Sequence, residues 1–392
     1  MKTGYSIRTW RMRLVCPEPI WLARTEEYFQ NVVEFYYHLL RQHEELWNSS
    51  LFDIQRSLEL LSLAGRDGRQ PTNPLPMGKV PVYLRRAAIN KASATVKSTQ
   101  ELQSGFPEKL EAKVTFFKGM YSDLTDRSIC LKLWNGEKWI WTDCNLKGRP
   151  FPQDGQLMSP TLVKEGRRYL LNIPVKQENS DARTAKERMA EGTNLCSVRF
   201  TNTDTFAVCC ILDEQGKQLA VHTCRGGDAY RHRCKLLETR IQKSRPNTVG
   251  DNSPQPNRKY YMHLKNLSEH YAHQVSREIL NFCKENQAGI IVLPDYDQNF
   301  TRMAMVKSGN FSPLHLSSKI RTNLQYKAWA EGILETRTDG LKDKCAICGG
   351  KVRRKGNEFL CENGHQGNRF LNDARNLGRK CQDSFFRRSR TK

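Results

Sequence analysis

Cys345-Ala-Ile-Cys348, twelve further residues and Cys361-Glu-Asn-Gly-His365 form the most specific pattern in this sequence. Two residues between the first two cysteines place two thiols on one tight turn, and the second pair of donors can complete a tetrahedral Zn²⁺ site. Four protein ligands leave no open position on the metal, so its role would be structural. The sequence therefore predicts a structural zinc site made of Cys345, Cys348, Cys361 and His365.

The sequence around these cysteines is strongly basic. The last 74 residues hold 18 Lys and Arg against 8 Asp and Glu, and the whole chain holds 63 against 41, a net charge of +22. Such an excess favours polyanionic partners, nucleic acid first and anionic membrane second. Four of these residues lie between the two ligand pairs, where a ribbon would project them towards nucleic acid: Lys351, Arg353, Arg354 and Lys355.

A second basic stretch is predicted to be a helix, over residues 83–103. Its basic and polar side chains alternate with small residues, a surface that can approach a phosphate backbone closely. The nucleic-acid contacts predicted on it are Arg85, Arg86, Asn90, Lys91 and Lys97. The side chains of Trp134, Trp139 and Trp141 are predicted to pack in the core of the β unit rather than to stack on bases. A basic loop is predicted to contain Arg231, Arg233 and Arg240.

The N-terminal half reads as a small β unit interrupted by helices. Residues 7–15 alternate as a strand, and residues 20–64 carry apolar side chains at helical spacing. Gly and Pro make a loop of residues 65–81 before the helix at 83–103. Residues 107–175 then favour antiparallel strands, whose sheet the first strand can complete, and a polar linker follows at 177–193.

The C-terminal half has a different order of elements. Strands are predicted at 197–200, 205–212 and 217–222, a helix at 263–286, a strand at 289–294, a helix at 318–332 and a strand at 333–337. This order of elements resembles an RNase H-like core: strands and a hairpin, then a helix, a strand, a helix and a strand.

The sequence also indicates the cellular compartment of the protein. Its longest apolar runs, such as 289–294, are far shorter than the roughly 20 residues that span a bilayer. Residues 1–15 contain no continuous apolar stretch of the kind found in secretory signals. The 13 cysteines are spread thinly, which favours reduced thiols. We therefore expect a cytoplasmic protein without membrane contact.

The segment from Arg321 through the cysteine pattern to Asn372-Asp-Ala-Arg-Asn-Leu377 resembles the C-terminal part of the TnpB family and of the related type V CRISPR effectors. This resemblance implies an α+β multidomain fold. An oligonucleotide-binding-like β wedge domain would contain an inserted helical recognition domain, and an RNase H-like RuvC domain would contain an inserted zinc ribbon. The family usually supplies Cys-x-x-Cys twice, whereas here Gly364 follows Asn363 and His365 is the nearest substitute ligand.

The resemblance also gives the domain boundaries. The wedge domain would comprise its first strand at 1–16 and its β unit at 107–180, on either side of the recognition domain at 17–106. A linker at 181–194 would lead to the RuvC-like domain at 195–340. The zinc ribbon would occupy 341–368, and the RuvC-like C-terminal helix with its basic tail would occupy 369–392.

The largest departure from the family lies at the catalytic positions. A RuvC nuclease needs acidic side chains that converge on divalent metal ions, because hard cations take oxygen ligands. Aligning the three motifs on residues 206–208, 290–293 and 374–376 places non-acidic residues where the acids belong: Phe200, Pro294 and Phe370. We therefore expect no catalytic residues and no enzyme activity.

The competing hypothesis is a relocated active site built from Asp204, Asp295 and Asp373. Asp204 lies four residues along the chain from Phe200, a shift of about 13 Å if that segment were extended. Asp295 would turn to the opposite face from Pro294. Only Asp373, one helical turn from Phe370, lies near the original place.

The resemblance implies that guide RNA and a double-stranded DNA target are partners, with a recruited protein as a further partner. The function predicted is a catalytically inactive RNA-guided DNA-binding protein of the prokaryotic nucleoid, which represses transcription or recruits that protein. Two alternatives remain open. One is an RNA-guided, metal-dependent endonuclease with a relocated site, and the other is a zinc-ribbon protein that binds nucleic acid without a guide.

Overall fold

The computed structural model describes residues 4–65, 67–152, 154–179, 181, 183–244, 257–295, 312–339 and 343–387. Over these residues the chain is a mixed α+β protein that divides into two compact units. One unit is Ile7–Gln177, and the other joins Met1–Ser6 to Glu178–Lys392. Residues 388–392, which belong to the predicted basic tail, and residues 245–256 lie outside the described residues.

The first unit is built on one antiparallel sheet. Its strand order is β2-β3-β4-β1-β7-β5, and β6 pairs with β7. Leu14 of the first strand lies opposite Leu146 of the fourth, so the first strand joins the later strands in one sheet. The strands are β1 (Tyr5–Val15), β2 (Tyr121–Ser122), β3 (Ser128–Trp134), β4 (Trp139–Lys147), β5 (Gln156–Leu157), β6 (Thr161–Glu165) and β7 (Arg168–Glu178).

Three helices lie between β1 and β2 in the chain: α1 (Pro19–Gln42), α2 (Leu51–Ser62) and α3 (Val82–Glu101). Helix α1 starts with proline in its first turn and buries apolar side chains at helical spacing. The Ser50 hydroxyl caps α2 by accepting the backbone N–H of Asp53. A short 3₁₀ turn at Glu44–Leu46 separates α1 from α2, so the predicted helical stretch at 20–64 is two helices.

Two details of this unit differ from the sequence prediction. Residues 114–117, part of the stretch 107–175 that was predicted to favour strands, form no strand, and Thr115 makes only an isolated bridge to Thr161. Trp141 is 46% exposed because the alternation along β4 turns its side chain outwards. Trp134 and Trp139 do pack against Tyr28, with ring centroids 4.9 and 5.2 Å away.

The second unit contains a five-stranded sheet in the order β10-β9-β8-β11-β12. Strands β8, β9 and β10 are antiparallel neighbours, whereas β11 is parallel to both β8 and β12. The elements are α4 (Ala185–Ala190), β8 (Asn194–Phe200), β9 (Thr205–Leu212), β10 (Gln218–Arg225), α5 (Gly227–Lys243), α6 (Arg258–Glu285), β11 (Ala288–Pro294), α7 (Ser317–Ala330) and β12 (Leu334–Thr338).

The cysteine pattern forms a small three-stranded antiparallel sheet, and the last helix follows it directly. These elements are β13 (Val352–Lys355), β14 (Glu358–Cys361), β15 (Gln366–Asn368) and α8 (Arg369–Arg387).

Strand β8 is buried on both faces of the five-stranded sheet. Val198 and Phe200 belong to an apolar core with residues of α6 and α7, such as Ile279 and Leu324. Leu195 belongs to the core on the other face, with side chains of α8. Because side chains alternate along a strand, the odd-numbered residues of β8 face α8 and the even-numbered residues face α6 and α7.

Two segments predicted to be irregular are helical. Thr184 and Glu187 form a capping box that starts α4 inside the predicted linker at 181–194. The side chain of Arg188 in this helix is 1% exposed and donates to the carbonyls of Gly289 and Gly332 at 2.8 and 2.6 Å.

Helix α5 contains the arginines that were predicted to lie in a basic loop: Arg231, Arg233 and Arg240. The helix forms because Tyr230, Cys234 and Ile241, spaced four and seven residues apart, are buried on one side of it. No helix in the part of the chain that the structure describes is long and apolar enough to cross a bilayer.

Candidate metal centre and the adjacent ion-pair cluster

The four residues predicted as metal ligands lie together. The sulfur atoms of Cys345, Cys348 and Cys361 and a ring nitrogen of His365 are all within 4.8 Å of one another. The Sγ atoms of Cys348 and Cys361 are 3.3 Å apart, close to the separation expected for two ligands of one tetrahedral ion.

Two similar turns position these sulfur atoms. In the first, the Gly349 N–H donates to the Cys345 carbonyl, and in the second the Gly364 N–H donates to the Cys361 carbonyl, both at 2.9 Å. Gly349 and Gly364 have φ of 76° and 84°, which glycine adopts without steric cost. Gly364 therefore ends the second turn in the same way that Gly349 follows the first.

Hydrogen-bond donors surround the sulfur atoms. The side-chain amide of Asn363 donates to Cys348 Sγ at 3.3 Å, and together with a backbone contact from Gly350 it lowers the pKa of Cys348 to about 6. Nδ1 of His365 is buried without a hydrogen-bond partner among the described residues. Three sulfur donors and one imidazole form a group that could hold a metal ion.

Helix α8 anchors the first of these turns through two asparagines one helical turn apart. Asn372 donates to the Lys344 carbonyl at 2.9 Å and accepts the Ala346 N–H at 2.8 Å. Asn376 donates to the same Lys344 carbonyl at 2.7 Å. The asparagines of the Asn-Asp-Ala-Arg-Asn motif thus fix the backbone on both sides of Cys345.

Between these asparagines lies Asp373, which is the centre of an ion-pair cluster. Its side chain is 7% exposed, and its two carboxylate oxygens face two arginines. Arg354 of β13 lies 2.9 Å from one oxygen, and Arg199 of β8 lies 3.4 Å from the other. The cluster joins three elements: the end of β8, the hairpin β13–β14 and the first turn of α8.

The three positions predicted to have lost catalytic acids are all buried. Phe200, at the end of β8, is 2% exposed and lies in the core on the α6 and α7 side. Phe370, at the start of α8, is 7% exposed, and Pro294 ends β11. Arg199, the neighbour of Phe200, is the residue of β8 that faces the carboxylate of Asp373.

The three alternative acids lie in separate settings. The Asp204 carboxylate accepts the backbone N–H of Asp228 at 3.1 Å, at the start of α5. Asp295 is exposed just beyond β11, where its own N–H donates to the Thr338 carbonyl. Asp373 is held by Arg199 and Arg354. Each carboxylate therefore has a different local partner or is open to solvent.

Arg85, which the sequence predicts to contact nucleic acid, forms a buried ion pair with Glu59 in this structure. Arg85 is 8% exposed, and its Nε and Nη2 donate to Oε1 of Glu59 at 3.0 and 2.9 Å. Lys97 donates to the Ser49 carbonyl at 2.9 Å, and Asn90 accepts from the side chain of Gln55. These contacts are internal to the helices α1 to α3 and the turns between them.

The other two predicted residues of α3 are accessible. Arg86 has a side chain 46% exposed, 3.6 Å from Glu59, and Lys91 is exposed. In and beside β13, Lys351, Arg353 and Lys355 are likewise exposed, whereas Arg354 is paired with Asp373.

Sequence reasoning missed Arg199, because no pattern near it indicates an ion pair with a residue 174 positions later. The shared role of Asn372 and Asn376 could have been predicted from their four-residue spacing, because this spacing places both side chains on one face of a helix.

A model of the Aq_aa04 family matches residues 6–135, about a third of the chain. No curated protein matches it. Among solved structures, a chain of the Cas12f1-sgRNA-target DNA complex superposes with a TM-score of 0.51 at 12% identity, over 96% of this chain and 99% of that chain. A chain of a CRISPR-Cas12f ternary complex gives a TM-score of 0.38 at 13% identity, over 91% and 80%, and supports no conclusion.

The chain therefore has a mixed α+β fold that is similar over nearly its whole length to a solved structure. More particularly, it shares the fold of the type V CRISPR effector Cas12f1, which confirms the predicted resemblance at the level of fold. At 12% identity this likeness establishes the fold alone.

Proposed function

We propose that this chain is a catalytically inactive RNA-guided DNA-binding protein. A guide RNA held by the protein pairs with one strand of a double-stranded DNA target, and the protein occupies that duplex without cutting it. The ion-pair cluster of Arg199, Asp373 and Arg354 is the observation that carries the inactive part of this proposal.

The cluster opposes metal-dependent cleavage on electrostatic grounds. Phosphodiester hydrolysis by two metal ions needs several carboxylates around the same ions. Here one buried carboxylate lies between two guanidinium groups, whose positive charges repel a divalent cation. The positions that align with the family's acids add no oxygen ligand, because two are phenylalanine and one is proline.

The RNA-guided part of the proposal depends on the fold. The sheet β2-β3-β4-β1-β7-β5 with the inserted helices α1 to α3 supports an oligonucleotide-binding-like wedge domain that contains a helical recognition domain. The sheet β10-β9-β8-β11-β12 supports an RNase H-like RuvC domain. The Cas12f1 structure of the same fold contains a guide RNA and target DNA.

Residues 341–368 act as a zinc ribbon in this proposal. The donors of Cys345, Cys348, Cys361 and His365 fit Zn²⁺, which takes sulfur and imidazole ligands in closed tetrahedral sites. A bound ion would be structural, holding the two turns of the ribbon together. The contacts from Asn372 and Asn376 would then position the ribbon on α8.

A protein that holds a duplex and cannot cut it acts by occupancy or by recruitment. Binding over a promoter would lower transcription, and a surface exposed on the bound complex would recruit a protein partner. Both outcomes place the chain on DNA, at the nucleoid of a prokaryotic cytoplasm. The net charge of +22 supports extensive contact with phosphates.

The alternative, an RNA-guided endonuclease with a relocated RuvC site, would use Asp204, Asp295 and Asp373. It would require Asp373 to release both arginines and Asp204 to release the start of α5.

The two functions are separated by one assay series. The chain is purified from its native cells, the bound RNA is sequenced, and the loaded protein is given a matched duplex in Mg²⁺ or Mn²⁺. We expect a retained and intact duplex, and binding that moves to a new target when the guide is exchanged. Cleavage that disappears with Asp373→Ala would establish the alternative. A genomic binding map that stays the same without the guide would overturn guided binding.

A further inference from the structure

A second group of metal-ligating side chains lies on the five-stranded sheet of the second unit, within the RuvC-like domain rather than the ribbon. His222 and Cys224 are two residues apart on β10, so both side chains lie on the same face of the strand. Glu278 of α6 lies against that face, beside His222. Their ligand atoms all lie within 4.8 Å of one another, and Nε2 of His222 is 2.6 Å from Oε1 of Glu278.

The surrounding residues hold this group in place. The His222 ring packs on Phe282, one helical turn from Glu278, with ring centroids 5.2 Å apart. Cys224 is fully buried in the apolar core. Cys209 lies directly opposite His222 in the β9–β10 pairing, and its thiol is hydrogen-bonded to that of Cys224. Cys209 is therefore a neighbour of Cys224, but its sulfur is not one of the ligand atoms that all lie within 4.8 Å of one another.

An ion could reach this group from solvent. The side chains of His222 and Glu278 are 36% and 32% exposed, because β10 is the edge strand of its sheet. Cys224 forms the inner wall of the group. The group is therefore shielded from solvent on the side of Cys224 and accessible to solvent on the side of His222 and Glu278.

The chemistry of the donors selects the kind of metal. Imidazole and thiolate are ligands for transition metals and zinc, whereas Mg²⁺ and Ca²⁺ require oxygen atoms. A thiolate and a carboxylate together carry two negative charges, which balance one divalent cation. Zn²⁺ bond lengths imply ligand separations of about 3.3–3.7 Å in a tetrahedral site, so the group needs only small side-chain movements.

We infer that His222, Cys224 and Glu278 form a second zinc-class metal site with three protein ligands, separate from the cysteine ribbon. A bound ion would join the edge strand β10 to helix α6. It would stabilise the second unit whether or not nucleic acid is bound.

The test is a zinc titration of the reduced, metal-stripped full chain against a chromophoric chelator. We expect two equivalents of Zn²⁺ in the wild type and one in Cys348→Ser. The double variant His222→Asn/Glu278→Gln should also bind one equivalent, and the combination of all three changes should bind none. His270→Asn and Glu285→Gln are matched controls on α6, with exposed side chains outside the group, and should retain two.

A second measurement covers the case in which Cys348→Ser fails to fold. Zinc should raise the melting temperature of the wild type by more than that of His222→Asn/Glu278→Gln, which still contains the complete ribbon. A single equivalent in the wild type, abolished by Cys348→Ser, would overturn the second site. Two equivalents retained in His222→Asn/Glu278→Gln would overturn it as well.

Discussion

The guanidinium of Arg354 lies 2.9 Å from the carboxylate of Asp373, and this contact joins the hairpin β13–β14 to the first turn of α8. Arg199 at the end of β8 faces the other oxygen of the same carboxylate. Asp373 is thus surrounded by positive charge from two other elements. Asp373, which lies one helical turn from the position of Phe370, therefore has a structural role in the folded chain.

Removing Arg354 should destabilise the protein. Arg354→Met removes a hydrogen bond to a buried charged group, which we expect to cost about 1–3 kcal/mol. The measurement is urea denaturation of the full chain. The control is Arg353→Met, because Arg353 is exposed and lies next to Arg354 in the same strand. An equal loss in both variants would contradict a specific role for the Arg354–Asp373 pair.

Acids introduced at neighbouring positions of β8 should have opposite effects. Phe200→Asp places an unpaired carboxylate in an apolar core and should abolish soluble folded protein, at a cost above about 3 kcal/mol. Arg199→Asp places a carboxylate beside Asp373 and should create weak Mn²⁺ binding, measured as a metal-dependent rise in melting temperature. Phe200→Leu is the packing control. A folded Phe200→Asp that binds Mn²⁺ would contradict the assigned orientation of β8.

The basic residues of α3 should separate into two classes. Arg86→Ala and Lys91→Ala should weaken nucleic-acid binding for all sequences alike and reduce the salt dependence by about one unit of slope each. Arg85→Ala should instead lower the melting temperature, since it leaves Glu59 without its buried partner. The measurements are binding isotherms at several salt concentrations beside thermal melts. Loss of affinity in Arg85→Ala without loss of stability would reverse this assignment.

Lys327 should make the stability of the folded protein depend on pH. It is 9% exposed, and burial followed by the charge of Arg277 lowers its pKa to about 8. Between pH 8 and the unfolded pKa near 10.5, the unfolded chain binds a proton that the folded chain does not. Stability should therefore gain up to about 3 kcal/mol from this residue as pH rises through that interval.

The check on Lys327 compares urea denaturation at pH 7.5 and pH 10 in three proteins. Lys327→Met should lack the gain, and Lys265→Met, a change at an exposed lysine of α6, should retain it. The difference between variants removes the contribution of other groups that titrate in the same range. An unchanged pH dependence in Lys327→Met would show that the lysine is charged throughout.

Much of the local structure was predictable because it depends on neighbouring residues. Strand β1 alternates between buried Met12 and Leu14 and exposed Arg11 and Arg13, as its pattern predicted. The strand at 289–294 was predicted within one residue, because a run of buried β-branched residues fits a central strand. Helix α4 was missed because its short, charged sequence resembles a linker, whereas the burial of Arg188 and Met189 shows that it packs.

Ligand spacing within two tight turns is a local property, so the sequence alone was enough to predict that Cys345, Cys348, Cys361 and His365 lie together as a candidate metal centre. It also determined that Phe200, Pro294 and Phe370 provide no carboxylate. Three contacts depend on the packing of distant elements: Arg199 with Asp373, Arg85 with Glu59, and His222 with Glu278. Those pairs are 174, 26 and 56 residues apart. Their side chains come into contact because helices pack against sheets and against one another, and no local pattern encodes that packing.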